Sequence, residues 1–263
     1  MSRTLLILLL LLASCAQPSL IWDGANPEDP APSGPDYLRA YKESHYRDVG
    51  QRFEGTLGWD ALFAELQHRA VLFLGDHHED QQLHERMLSL LLRLAESRRI
   101  VLGLEAIGTD DDPALARFLA GELDLDMFRA QVAQRWRGSW LDSDEVDKHF
   151  YRMLLVLAHD HHVPVFALEP TPRLPLEQRD QVIAERIQDA ARAHPDSLVV
   201  IVVGHAHLLG EDKLVELTRL PSAAFGARMS RSLQTEFTAG TFHEPFLRSD
   251  AGVLFFNPTP GIL

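Results

Sequence analysis

The chain has 263 residues, 46% hydrophobic and 24% charged, which suits one large globular domain with room for an insertion. With 25 basic against 38 acidic side chains its formal charge is −13, and no basic stretch is interleaved with aromatics. That balance argues against nucleic acid or an anionic membrane surface as the main partner, and the lack of a tandem repeat argues against a solenoid.

The first element in chain order is a targeting segment. Arg3 supplies a positive start, and Thr4 to Leu12 form an apolar run too short to span a bilayer. Leu12-Ala13-Ser14-Cys15 follows and resembles the lipobox of bacterial lipoproteins, in which the cysteine is lipidated and becomes the new N-terminus. Residues 1–14 are therefore expected to be a signal peptide, with Cys15, the single cysteine, as the lipidated anchor. Ala16 at the next position favours an outer-membrane address facing the periplasm. Residues 15–35 are rich in Pro, Ser, Ala, Asp and Gly and read as a flexible tether. Residues 36–263 are then a single domain. Having no second cysteine, it must be held by its core without a disulfide.

Five short apolar runs follow, without strict alternation: AVLFLG (70–75), IVLGLE (100–105), VPVFALE (163–169), LVVIVVG (198–204) and GVLFFN (252–257). Strands buried on both faces have this pattern. SAAFGARM is a weaker sixth. Helical spacing fills the intervals, as in QQLHERMLSLLLRLAESRR with Leu83, Met87, Leu90, Leu91 and Leu94, and in PLEQRDQVIAERIQDAARA and EDKLVELTRL. Alternating strands and helices predict an α/β fold, a mostly parallel β-sheet flanked by helices. Between the second and third runs, about 108–162, there is no strand and three helical patterns, which predicts a small inserted helical subdomain. Its aromatics Phe118, Phe128, Trp136, Trp140 and Phe150 read first as that subdomain's core and second as the lining of an apolar slot.

In an open parallel sheet the binding crevice lies at the carboxyl ends of the strands. Those ends carry Gly75-Asp76-His77-His78, Glu105, Glu169 and Gly204-His205-Ala206-His207. Two Gly-x-x-His patterns at separate strand ends, with a glutamate between them in the chain, form a plausible set for a divalent metal such as zinc, manganese or iron: His78, Glu105 and His207. The competing reading is that these histidines only close the strand ends. His159, His161 and His162 fall on the opposite rim, where a helix C-terminus stabilises cations. His84, in the first turn of its helix, is placed to face back toward the rim.

These residues carry a family likeness. VLFLGDHHEDQQLHERM resembles the opening motif of the ChaN-like haem-binding lipoproteins, with Gly75, Asp76, His78, Glu79 and His84 at the matching positions. IVLGLEAI is similar to the family's second-strand glutamate (Glu105), LEQRDQVIAERI to a helix motif of the wider superfamily (Arg179, Asp180), and VVIVVGHAHLLG to its last motif (Gly204, His207). That superfamily also holds Tiki and TraB proteins and erythromycin esterases. Asp76 stands where the family usually has Glu, and Glu79 where it has Asp. The resemblance implies a lipid-anchored protein that binds haem or iron for uptake, with a homodimer holding the ligand between two copies as one arrangement. It points to Tyr151 or His84 as haem ligands. The alternative it implies is a metal-dependent hydrolase, peptidase or esterase, with His78, Glu105 and His207 on the metal and Asp76 or His205 as general base. No G-x-S-x-G elbow occurs, which disfavours an acyl-enzyme route.

Overall fold

The structure is a computed structural model and describes residues 50–136, 138–208, 212–240 and 242–259. The expected signal peptide, the anchor Cys15 and the tether lie outside the described residues. Eight strands form one sheet in the order β1-β7-β8-β6-β2-β5-β3-β4. They are β1 (Phe53–Leu57), β2 (Val71–Asp76), β3 (Ile100–Gly108), β4 (Val165–Glu169), β5 (Leu198–Gly204), β6 (Ser222–Phe225), β7 (Phe246–Ser249) and β8 (Leu254–Phe256). From β8 to β4 all neighbours run parallel; β7 is antiparallel to both β8 and β1. The expected mostly parallel sheet is thus its middle, and the antiparallel edge is the addition.

The apolar runs become β2, β3, β4, β5 and β8: β2, β4 and β5 feed a core on each face, β3 feeds the first, and β8 feeds the first and a satellite cluster. In β2, Leu72 and Leu74 face one side while Val71 and Phe73 face the other; in β5, Leu198, Val200 and Val202 oppose Val199, Ile201 and Val203. All of these are buried, and a fully buried Val, Leu or Phe contributes roughly 1.5–3 kcal/mol relative to an exposed one. Helices α1 (Trp59–Leu66), α2 (Gln81–Ser97), α3 (Asp112–Leu119), α4 (Leu125–Arg135) and α5 (Lys148–Asp160) contribute to the first core. Helices α6 (Leu176–Ala193) and α7 (Leu214–Leu217) contribute to the second. The last helix, α8 (Arg231–Ala239), packs with β7 and Phe255 in a satellite cluster.

The segment between β3 and β4 holds a 3-10 turn (Thr109–Asp111), α3, α4 and α5, and no strand among its described residues. Phe118, Phe128, Trp140 and Phe150 are buried in the first core, so the core reading of those aromatics holds for four of the five; Trp136 is half-buried against it. Asp124 caps α4 by accepting from the amide of Met127, and Asp147 caps α5 by accepting from the amide of Phe150. Of the insertion's helical patterns, DEVDKHFYRMLLVLAHDHH therefore begins as a helix only at Lys148.

The topology also places the crevice. The connection leaving β2 passes over one face through α2, whereas that leaving β5 passes over the other through α7. Because β2 and β5 are neighbours, in register from Val71 with Val199 to Asp76 with Gly204, the chain diverges between their carboxyl ends.

Candidate functional site

Two carboxylates organise this crevice, Asp76 at the end of β2 and Glu105 in β3. Asp76 is buried and accepts from three side chains. Its Oδ1 takes Nε2–H of His84 at 2.7 Å, and its Oδ2 takes Nδ1–H of His78 at 2.9 Å and the Tyr151 hydroxyl at 2.5 Å. Burial works against its charge, but the fields and hydrogen bonds of His78 and His84 outweigh that and hold the carboxyl well below the usual carboxylate range. Conversely, burial lowers both imidazole pKa values while Asp76 raises them, and the net shift of each is upward.

His84 goes further. Its Nδ1 lies 2.9 Å from Oδ2 of Asp147, so both ring nitrogens face carboxylates, an arrangement only the doubly protonated imidazolium satisfies with two N–H donors. The ring stacks on Phe150 at 3.9 Å. The Asp147 amide also donates to the His78 carbonyl at 2.7 Å. The cap of α5 is thereby tied to the loop after β2 through His78 and to the first turn of α2 through His84. Burial first and then the negative field of Asp76 push the Tyr151 hydroxyl well above its ordinary pKa, so it stays a donor.

Around Glu105 a second network closes. Its Oε2 accepts from the Gly204 amide at 2.6 Å, and its Oε1 stands 3.4 Å from His207 Nε2 and 3.8 Å from Arg179. His207 Nδ1 meets Asp180 Oδ1, and Lys213 Nζ lies 3.7 Å from the other Asp180 oxygen. Arg179 also bonds Glu169 at 3.2 Å, with Arg173 on the opposite oxygen. Burial lowers the His207 pKa but Asp180 and Glu105 raise it further, for a net rise. For Glu169, burial raises the pKa more than Arg179 and Arg173 lower it.

His78 stands between the two networks. With Nδ1 given to Asp76, Nε2 is the nitrogen left to face a ligand. A β-carbon placed on Gly204 would lie 3.3 Å from both His78 Nε2 and Glu105 Oε2, so the missing side chain of Gly204 is what keeps that mouth open. The His78 side chain is 34% exposed, against 6% for His207 and 2% for His84, which makes it the accessible imidazole of the three. The Trp140 ring lies 4.1 Å from it, and Trp136 lies beyond Trp140.

The expected convergence of His78, Glu105 and His207 is therefore present, but not as a metal centre. Among the described residues no three His, Cys, Asp or Glu side chains are arranged to hold a metal ion. The physical reason is that Glu105 spends its oxygens on Gly204, His207 and Arg179, and His207 its Nδ1 on Asp180. Asp76, expected as a general base on water, is instead an enclosed acceptor of three hydrogen bonds. His205 is buried in the 3-10 turn after β5, and its Nδ1 accepts from the Ala227 amide at 3.1 Å, which ties β6's loop to the strand end. Tyr151 and His84, expected as haem ligands, lie in the site but are turned inward to Asp76. His159, His161 and His162 lie on the opposite rim, as expected, with His161 and His162 exposed and His159 half-buried. Asp147 was not singled out from the sequence, where it lies inside a helical pattern and nothing marks it as a partner of His84.

Fold and site together define a class: an open α/β protein with a buried acid–base network at the carboxyl ends of its central strands. Residues 62–175 match the family model described as haem-binding uptake, Tiki superfamily, ChaN, and this stretch holds Asp76, His78, His84, Glu105, Tyr151 and Glu169. The likeness to ChaN-type proteins read from the motifs is thus shown for that segment. Among solved structures, the type III effector HopBA1 is 13% identical with a TM-score of 0.50, over 80% of this chain and 96% of that one. A structure of cofacial haem binding to ChaN of Campylobacter jejuni is 9% identical with a TM-score of 0.48, over 66% and 88%. RRSP, a MARTX toxin effector domain from Vibrio vulnificus CMCP6, is 19% identical with a TM-score of 0.48, over 73% of this chain but 43% of that one. The HopBA1 likeness carries the fold alone. No curated protein matches the chain significantly.

Proposed function

We propose that this is a haem-binding protein in which His78 holds the iron through Nε2. The observation that carries the reading is the His78–Asp76 pair within a segment matching a haem-binding family. A carboxylate on Nδ1–H fixes the tautomer and ring orientation and raises the basicity of Nε2, which is how metal-ligating histidines are ordinarily supported. The partial exposure of His78 suits an axial ligand, and Trp140, buried beside it in the first core, holds the imidazole ring in place. Bound haem would supply an iron centre for storage, delivery or electron transfer. The chain's own residues orient the imidazole, and Glu105 sets the negative potential behind it. Titration of the full chain with haem tests this: a saturable Soret change with wild-type protein supports it, and its absence refutes it.

The anchor belongs to the same proposal. Lipidation of Cys15 would tether the domain to the outer membrane, facing the periplasm, for iron uptake, with haem shared between two copies as one arrangement. The Leu12-Ala13-Ser14-Cys15 run supports this. Loss of membrane fractionation in Cys15→Ala is the expected result, and unchanged fractionation counts against it.

A second reading rests on the Asp180–His207–Glu105 chain, a buried imidazole between two carboxylates. Such an arrangement can pass a proton to and from a substrate bound at the mouth, as a hydrolase of peptides or esters requires. Turnover of a peptide or ester library by wild-type protein and not by His207→Ala would favour it over haem binding.

A further inference from the structure

We infer that Arg228 selects for a carboxylate on the ligand that His78 holds; this rests on the haem reading above and adds a second point of recognition to it. Arg228 follows β6, which pairs in parallel with β2, so the loops after both strands emerge side by side. The approach there is close: a β-carbon on Gly75 would stand 2.8 Å from the Phe225 carbonyl and 3.1 Å from His205 Nδ1. The Ala227 amide is pinned to His205, and the Gly226 amide donates to Leu254 at 2.8 Å, so the residue before Arg228 is held at both ends of its short turn.

From that turn the guanidinium reaches His77, the residue before His78, and donates through Nη2 to His77 Nε2. An imidazole that accepts at Nε2 is neutral, so the contact orients Arg228 without cancelling its charge. Among the described residues no carboxylate forms an ion pair with Arg228, whose side-chain partner is His77. Arg228 is also exposed. A positioned and uncompensated guanidinium one residue from the ligating histidine has the fork geometry that a carboxylate accepts. Haem carries two such groups, its propionates.

The test compares iron protoporphyrin IX with its dimethyl ester, both in the same neutral detergent, titrated into the full chain as wild type, Arg228→Gln and Arg228→Lys. Wild type should bind the diacid about tenfold more tightly than the ester, a preference that shrinks as salt rises. Arg228→Gln should bind the two alike with the Soret position unchanged, and Arg228→Lys should keep a reduced preference. If Arg228→Gln retains the wild-type preference, Arg228 is not the selector, although the haem reading survives. If neither porphyrin binds wild-type protein, the haem reading falls first and this inference with it.

Discussion

Tyr151 and Asp76 stand 75 positions apart in the chain, and the tyrosine hydroxyl donates to Oδ2 of Asp76 at 2.5 Å. That bond joins the helix before β4 to the end of β2, and its acceptor is the oxygen that also holds His78. Tyr151 is therefore a positioning residue whose effect on a ligand passes through Asp76 and His78.

Tyr151→Phe removes this donor and keeps the ring packed. A hydrogen bond to a charged group is worth about 1.5–3 kcal/mol, and Asp76 retains two donors, so the expected loss is at the lower end. Urea unfolding checks the stability. A variant as stable as wild type would show that the bond carries no net energy.

Gly204→Ala probes the mouth. The backbone at Gly204 has a φ of −50°, so alanine meets no backbone strain there. Its methyl would instead press on His78 and Glu105 at 3.2–3.3 Å. Haem affinity should fall by about tenfold, roughly 1.4 kcal/mol, with a melting temperature close to wild type. Equal loss of fold and affinity would contradict this assignment.

The strands that build this mouth were legible from sequence because their apolar runs are buried along their whole length. β1 and β7 were not: FEGTL alternates half-buried and exposed positions, and FLRS is only four residues, set between β1 and β8. The rim residues were legible as types at strand ends, and Gly75 and Gly204 as places needing room. What the sequence did not carry was pairing. Nothing near Asp147 says that it meets His84, 63 positions away, or that Asp180 meets His207. Those pairings depend on how α5 and α6 cross the sheet, which is set by the whole core. Arg228 was equally silent, an exposed arginine in a loop after a four-residue strand.

Stability should have a maximum set by the Asp76 cluster. Folding raises the His84 and His78 pKa values, so their contribution is full below the unfolded value near ~6.5 and is lost as pH rises through the folded values. Folding lowers that of Asp76, so its contribution is present above ~3.9 and is lost as pH falls toward its folded value. The melting temperature should therefore decline on both sides of about pH 4–6.5. A His84→Gln variant should flatten the alkaline decline, and an unchanged slope would rule His84 out as its source.

Asp147→Ala removes the cap of α5 and one carboxylate of His84. The cap alone is worth about 1 kcal/mol. The amides at the start of α5, Phe150 included, should exchange faster with deuterium while those of β5 keep their protection. Uniform loss across the molecule would mean that the contact is not local.

The central claim is that His78 is the accessible imidazole, aimed by Asp76, that takes the iron. The most direct measurement is the axial-ligand spectrum of the haem-loaded chain, by low-temperature magnetic circular dichroism, for wild type, His78→Ala and His207→Ala. A histidine signature in wild type and in His207→Ala that vanishes in His78→Ala is the required result. A signature that survives in His78→Ala would contradict the account.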